Sequence, residues 1–403
     1  MTDPHARIAF VAGEASGDLL AAPLVAKLRA HDPAFAAAGV AGEHMIAAGC
    51  DPWFHVRELS VRGYVEVLQE LPRILRIRRA LVRRLQPGSC TALVGVDSPD
   101  FNLALEARVR AHGVPTVHYV SPSIWAWRAG RIEDIRRAAD RVLLVFPFEQ
   151  AIYERAGIPA SYVGHPLAST IPMQPDRDAA CARLGLASAT RWICIMPGSR
   201  RAEVDYIAPV FLDAAARLAR NLPGVRFVLP VADSSLRPVL EGLLRRLRGR
   251  AGAVDPDSIV LVDGHSHDCL EASDGALIAS GTATLEAALF KRPMVIAYRM
   301  PALSAFIMRR IGGYLPWVGL PNILANEWLV PELLQEAATG EAIASALQKL
   351  LEDNAAQAIL RERFQAMHES LRRDTPTLAS EAILDTIARV RPRMGSTQAG
   401  VPA

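Results

Sequence analysis

The sequence predicts an α/β protein of two doubly wound parallel-sheet domains facing across a cleft. Three observations carry that prediction. Short continuous apolar runs, such as those at 8–12 and 92–96, alternate with longer stretches of helical period, the pattern of parallel strands covered on both faces by crossover helices. The alternation occurs twice, with a polar stretch punctuated by Pro166, Pro172 and Pro175 between the two series. The chain has 403 residues, 51% of them hydrophobic and 22% charged, which suits two or three ordered globular domains.

Taken in order, the first series predicts strands at 8–12, 38–41, 92–96, 116–120, 141–146 and 161–163. Helices fall between them near 17–31, 43–48, 64–85, 101–112, 129–138 and 149–155. The second series predicts strands at 191–196, 225–230, 259–262, 275–279 and 294–298. Its helices lie near 203–221, 235–247, 268–272, 283–290 and 302–311, followed by terminal helices near 341–352, 355–372 and 376–391. The expected domains are therefore 1–168 and 169–390, with a tail at 391–403.

Composition excludes several classes. The formal charge is only +3, so the total gives no reason to propose a nucleic-acid polyanion as partner. Five cysteines at wide spacings, with no CxxC, support neither a disulfide framework nor a zinc site. A reducing cytoplasm is the expected compartment. The N-terminus enters its first strand without a basic leader or a long apolar stretch, so no signal peptide is expected. The longest stretch without Asp, Glu, Lys or Arg, 156–175, holds four prolines and cannot be a spanning helix.

Ligands of open α/β sheets bind beyond the carboxyl ends of the strands, so the segments that follow strands are the informative ones. Gly13-Glu14-Ala15-Ser16-Gly17-Asp18 follows the first strand. Its GxxxG spacing differs from the GxGxxG of dinucleotide binders and counts against a nicotinamide cofactor; Ser16 can equally be a plain N-cap. Asp97-Ser98-Pro99-Asp100 follows the strand at 92–96. Asp100 reads as a first-turn complement to the helix dipole. Asp97 sits either as an N-cap or where a base would meet an acceptor hydroxyl. Trp125 and Trp127 share the next loop, offering ring faces to a sugar or lipid or simply filling space beneath it.

In the second series, Gly198-Ser199-Arg200-Arg201 follows a strand and offers guanidinium forks suited to phosphate. Ser280, Gly281 and Thr282 open a helix whose free N–H groups suit a diphosphate. Glu286, one turn further in, can accept from ribose hydroxyls. No metal site is expected. The Asp176-Arg177-Asp178 triplet reads as solvated loop, and His165 either touches ligand or caps a hinge.

The basic residues, all but three of them arginine, are gathered. Seven arginines (62, 73, 76, 78, 79, 83 and 84) face only Glu66 and Glu70 between residues 62 and 84. On a helix begun by Pro72, Ile74, Ile77, Leu81 and Leu85 form one stripe and Arg76, Arg79 and Arg83 another. Residues 61–85 thus predict a basic amphipathic segment at an anionic membrane surface. The competing expectation is an ordinary helix with its apolar stripe on the sheet.

Seven blocks together resemble the lipid-A-disaccharide synthase family: VAGEASGD at 11–18, GVAGEHM at 39–45, GVDSPDFN at 95–102, HYVSPSIWAWR at 118–128, MPGSRRAEV at 196–204, ASGTATLEAAL at 279–289 and LPNILAN at 320–326. The resemblance runs in register from about residue 7 to 390. It implies a GT-B glycosyltransferase of two Rossmann-like domains, the first binding acceptor and the second UDP-sugar donor, with no cofactor and no metal. It further implies transfer from UDP-2,3-diacylglucosamine to 2,3-diacylglucosamine 1-phosphate at the cytoplasmic face of the inner membrane.

Matched residue by residue, the resemblance makes Asp97 the general base on the acceptor 6-hydroxyl and Arg200 the group that neutralises the leaving diphosphate. Ser199, Ser280, Gly281 and Thr282 then hold that diphosphate, Glu286 points to ribose, and Asn322 lies near the donor. Glu14, Ser16 and Asp18 face the acceptor. A UDP-N-acetylglucosamine 2-epimerase, which would share this architecture, is the competing enzyme. A two-domain ligand-binding protein is the non-enzymatic alternative. A homodimer is compatible with the sequence, since the terminal helices can pack back or exchange between subunits.

Overall fold

A computed structural model describes residues 7–59, 64–124, 130–300 and 316–395, with the side chains of 64–69 and 391–395 excepted. The chain forms two compact units, residues 1–169 with 371–403, and residues 170–370.

The first unit is a seven-stranded parallel sheet of order β3-β2-β1-β4-β5-β6-β7. Its strands are β1 (Arg7–Ala12), β2 (Ala36–Ala41), β3 (Cys50–His55), β4 (Ala92–Val96), β5 (Thr116–Tyr119), β6 (Arg141–Leu144) and β7 (Ala160–Tyr162). The central strands β1 and β4 are buried on both faces, as their unbroken apolar sequences require. Helices α1 (Ala15–His31), α2 (Glu43–Ala47), α3 (Tyr64–Arg84), α4 (Pro99–Ala111), α5 (Arg131–Ala138), α6 (Gln150–Ala156) and α7 (Pro166–Thr170) connect them.

The second unit is a six-stranded parallel sheet of order β10-β9-β8-β11-β12-β13. Its strands are β8 (Trp192–Met196), β9 (Arg226–Val231), β10 (Ile259–Asp263), β11 (Gly275–Ile278), β12 (Met294–Tyr298) and β13 (Glu332–Leu334). Helices α8 (Arg177–Leu184), α9 (Arg201–Asn221), α10 (Arg237–Leu247), α11 (Ser266–Ala272) and α12 (Thr282–Leu289) belong to it, with later helices at Leu320–Ala325, Gly340–Glu352 and Asn354–Leu371. In each sheet the strand order reverses once, between β1 and β4 and between β8 and β11, and such switch points open a crevice at the strands' carboxyl ends.

The structure corrects several expectations. Strands β3 and β13 were not expected. The Cys-Asp-Pro-Trp-Phe-His run of β3 alternates poorly because it is a sheet edge with exposed Asp51 and Pro52, and β13 has only three residues. The terminal helix Thr375–Gly395 belongs to the first unit rather than to a domain at 169–390. It packs on α1, and its Asp385 accepts from Arg141 of β6 at 2.6 Å. Asp176 is exposed just before α8 and caps it by accepting from Ala179 N at 3.0 Å, while Arg177 and Asp178 lie within the helix rather than in a loop.

The α3 stripe is the largest correction. Helix α3 runs through Pro72 instead of starting there. Ile77, Leu81 and Leu85 are buried against Val11, Val40, Leu93, Leu105 and Val109, with Ile74 packed beside them. These side chains are core and cannot enter a lipid interface. Arg76, Arg79 and Arg83 remain exposed on the other face. Among the described residues, no helix is long and apolar enough to cross a membrane. Trp125, Trp127 and Arg128 lie outside the described residues, as do Val61, Arg62 and the side chains of Val65, Val67 and Leu68. All five cysteines are buried, unbridged thiols.

Candidate functional site

At the first unit's switch point, the loops after β1 and β4 touch. A Cβ on Gly13 would lie 2.2 Å from the Ser98 hydroxyl, so only glycine lets the two loops meet. Asp97 and Ser98 both adopt left-handed backbone, with φ of +51° and +44°. That conformation is costly for residues with a Cβ, and a clamp holds it. The Asn102 side chain, wholly buried on α4, donates to Val11 O (3.1 Å), Val96 O (3.2 Å) and Asp97 O (2.8 Å). One amide thereby joins the ends of β1 and β4 and fixes the residue expected to be the base. Asp97 itself is half-buried and is not the α4 cap, a position taken by Ser98. Asp100 pairs with Arg131.

Glu14 and Ser16 are exposed on this rim. Asp18 is not. Its carboxylate is buried and accepts from Gly42 N (2.7 Å), Met45 N (3.1 Å) and His44 N (3.0 Å). It caps α2 and binds the block at 39–45 to α1, so its expected place facing an acceptor is corrected to one that orders the loop beneath. Asp and Gly sharing one tight contact was the signal: a Cβ at Gly42 would sit 2.6 Å from Asp18 Oδ2.

In the second unit the turn after β8 is shaped from below by Glu203. This carboxylate accepts from Ser199 N at 3.2 Å and Arg200 N at 3.3 Å. Gly198 has φ +109°, and a Cβ there would lie 2.4 Å from Glu203 Oε2. Among the described residues, the Arg200 guanidinium is held by one exposed contact, to Glu203 Oε1 at 3.2 Å, so it can meet a ligand. Gly281, before α12, combines φ +79° with ψ −156°, a region essentially restricted to glycine. Nothing lies within 4 Å of where its Cβ would be. Ser280 is half-buried, and Gly281 and Thr282 are exposed.

The block at 320–326 is tied to that helix start, since Leu320 N donates to Thr284 Oγ1 at 3.2 Å. Asn322 is wholly buried and fully used. It donates to Val330 O (2.9 Å) and Glu332 Oε1 (2.8 Å), and accepts from Leu329 N and Val330 N (both 2.8 Å). Its expected donor contact is corrected to a positioning role. Glu332, missed in the sequence, accepts also from Val318 N and Gly319 N at 2.9 Å. Burial raises its pKa, against these three hydrogen bonds. Glu286 faces His267, with 3.5 Å between Oε2 and Nε2. That hydrogen bond leads the causes that raise the His267 pKa, over the opposing burial.

His165 is buried and serves as a cap, Nδ1 accepting from Leu167 N at 3.2 Å. Of the residues singled out in the sequence, the structure thus gathers Glu14, Ser16 and Asp97 at one switch point. It gathers Ser199, Arg200, Ser280, Gly281 and Thr282 at the other, with Asp18 and Asn322 as supports beneath.

Comparison with known proteins bears on the family and the fold. A family model described as lipid-A-disaccharide synthetase matches residues 8–383. The lipid-A-disaccharide synthase of Pseudomonas aeruginosa (strain UCBPP-PA14) is 48% identical over 383 residues, 95% of this chain and 98% of that protein. The same-named protein of Azoarcus sp. (strain BH72) is 47% identical over 378 residues, 94% of this chain and 95% of that one. Among solved structures, an S. aureus MnaA–UDP co-structure shares the fold with a TM-score of 0.63 at 14% identity, covering 96% of this chain and 97% of that one. Anabaena Alr3699/HepE in complex with UDP-glucose gives 0.54 at 15% identity, covering 96% and 100%. The two parallel sheets are those of a GT-B glycosyltransferase, and the chain belongs to the lipid-A-disaccharide synthase family.

Proposed function

We propose that this enzyme transfers 2,3-diacylglucosamine from UDP to the 6-hydroxyl of 2,3-diacylglucosamine 1-phosphate, releasing UDP and the β-1,6-linked disaccharide 1-phosphate. The supporting observation is the division of chemistry between the two switch points. The first unit presents a clamped carboxylate, the second a glycine-opened helix start and an accessible guanidinium. Inversion at the anomeric carbon is one displacement. The acceptor oxygen attacks as the bond to the diphosphate breaks, Asp97 takes the hydroxyl proton, and the negative charge departs with UDP. A positioned base is worth about 10²–10⁴ in rate. Arg200 and the N–H groups at 280–282 meet the leaving charge. UDP bound to neighbours of the same fold is consistent with a nucleotide diphosphate at the second unit.

On this reading the first unit binds acceptor, with Glu14 and Ser16 on its rim, and Glu286 turns toward ribose. The exposed face of Arg76, Arg79 and Arg83 supports attraction to an anionic membrane surface, the cytoplasmic leaflet of the inner membrane. The test is mass spectrometry of products from UDP-2,3-diacylglucosamine with and without the monosaccharide phosphate. The disaccharide phosphate and stoichiometric UDP are expected only when both are present. An epimerised sugar nucleotide formed without acceptor would instead establish the epimerase reading.

A further inference from the structure

Glu106 and His118 are wholly buried, with 2.8 Å between Oε1 and Nδ1. An ionic pair in a core is weak evidence for stability, since apolar residues of similar volume often do as well or better. Yet the fold makes special room for it. A Cβ on Gly95 would lie 1.9 Å from Glu106 Oε1, so the strand carries glycine where the carboxylate arrives. Gly95 is also the register partner of His118 across β4 and β5, and Asp97 stands two residues beyond Gly95 at the carboxyl end. Glu106 is one helical turn from Asn102, which grips the Asp97 carbonyl. Three buried polar atoms in this cluster have no hydrogen-bond partner among the described residues: Asn102 Oδ1, Glu106 Oε2 and His118 Nε2. A cluster maintained at that cost calls for a role beyond packing.

We propose that Glu106 and His118 are positioning residues of the transfer, a buried carboxylate–imidazolium pair that presents positive charge to the inner side of Asp97. This rests on Asp97 being the base. Burial works against protonating His118. The Glu106 carboxylate, its hydrogen bond and the Asp97 charge outweigh burial and raise the imidazole's pKa, while Arg131 from the start of α5 opposes them. The β6 register partner, Val142, brings no charge. The attraction is mutual: the Asp97 charge that helps His118 keep its proton is drawn toward the imidazolium in turn. When Asp97 takes the hydroxyl proton, the line of two carboxylates and one imidazolium passes from one negative charge to neutral.

Two measurements on the full chain test the pair. Selective carbon-13 labelling of the ten histidines, with the resonance assigned through His118→Gln, follows the His118 imidazole by NMR across pH 5–9. Its midpoint should lie above the ordinary value of about 6.5 and fall in Glu106→Gln. It should fall by a smaller amount in Asp97→Asn, which disturbs no core side chain. An unchanged His118 titration in Asp97→Asn overturns the coupling, whatever the enzyme's substrate. The second measurement is the kcat/KM profile. In both Glu106→Gln and His118→Gln the acid limb should move up by about one pH unit, roughly a tenfold loss at low pH. Donor KM should be unchanged, and the double variant should lose no more. A loss that is the same at every pH marks the pair as merely structural. Persisting turnover in Asp97→Asn removes the base assignment, and the catalytic sense of the pair with it, while leaving the NMR result intact.

Discussion

The two switch points sit at equivalent places in two similar sheets, yet they are built on opposite principles. Beneath Asp97 lie buried polar side chains, a clamping amide and an ion pair, and the backbone itself is left-handed. Around Arg200 and Gly281 the groups available to a ligand are exposed and the shaping is done by glycines, with Glu203, Glu332 and Asn322 as underpinning. The contrast suits the chemistry proposed for each. Proton transfer depends on the position and charge of one atom. A diphosphate is large, and several donors share the work of holding it.

The sharpest way to break this comparison is to substitute the key residue on each side. Asp97→Asn keeps shape and the Asn102 clamp but removes the proton acceptor. Turnover should fall by about 10³ or more, with UDP affinity by calorimetry unchanged within twofold. Arg200→Lys should lose only about 10- to 100-fold, because N–H groups at 280–282 still meet the leaving charge, and UDP affinity should fall with it. Equal losses at both positions, or substantial residual turnover in Asp97→Asn, would end the distinction between a single-atom site and a shared one.

What could be read from the sequence follows the same line. Segments that directly follow strands were legible, because strand ends at a switch point are where ligands bind. Asp97, Arg200 and Ser280–Thr282 were singled out that way, and the structure places each of them just beyond a strand end. The supports were not. Asn102, Glu106, His118 and Glu332 act through partners that topology brings together across 5 to 91 residues of sequence, and no local pattern encodes such pairings, whereas Glu203 is a local partner at the third position of its own helix. Asp18 and Asn322 were singled out through the resemblance, and burial shows them turned inward. Two edge strands were missed for a different reason, since edges lack the apolar run that marks a central strand.

The α3 helix tests whether charge alone carries membrane attraction once its apolar stripe is assigned to the core. Replacing Arg76, Arg79 and Arg83 together by Gln should weaken binding to vesicles of anionic lipid by roughly tenfold or more at low salt, and far less at high salt, where the Debye length contracts. Thermal stability should hardly move, since all three are exposed. Vesicle binding that survives both the substitution and high salt would mean that apolar groups elsewhere make the contact.

A second buried histidine of the first unit sharpens the case for His118 by opposition. His165 lies against the Phe146 ring, 5.3 Å between centroids, and burial alone pushes its pKa down to about 4. Among the described residues, no carboxylate compensates as Glu106 does for His118. The native state therefore keeps His165 neutral, while the unfolded chain protonates it near 6.5. Its stabilising contribution is complete above that value and is lost as pH falls toward 4, by about 3 kcal/mol over the window. His118, with its raised pKa, runs the other way: its contribution is present below the unfolded value and is lost as pH rises through the folded one. Asparagine at 165 keeps an acceptor for Leu167 N but has no proton to gain. Denaturant unfolding of His165→Asn at pH 7 and pH 4.5 should therefore show a smaller acid loss than the parent. An identical loss would mean that His165 reaches solvent before unfolding and that its burial does not govern the acid limit of the first unit.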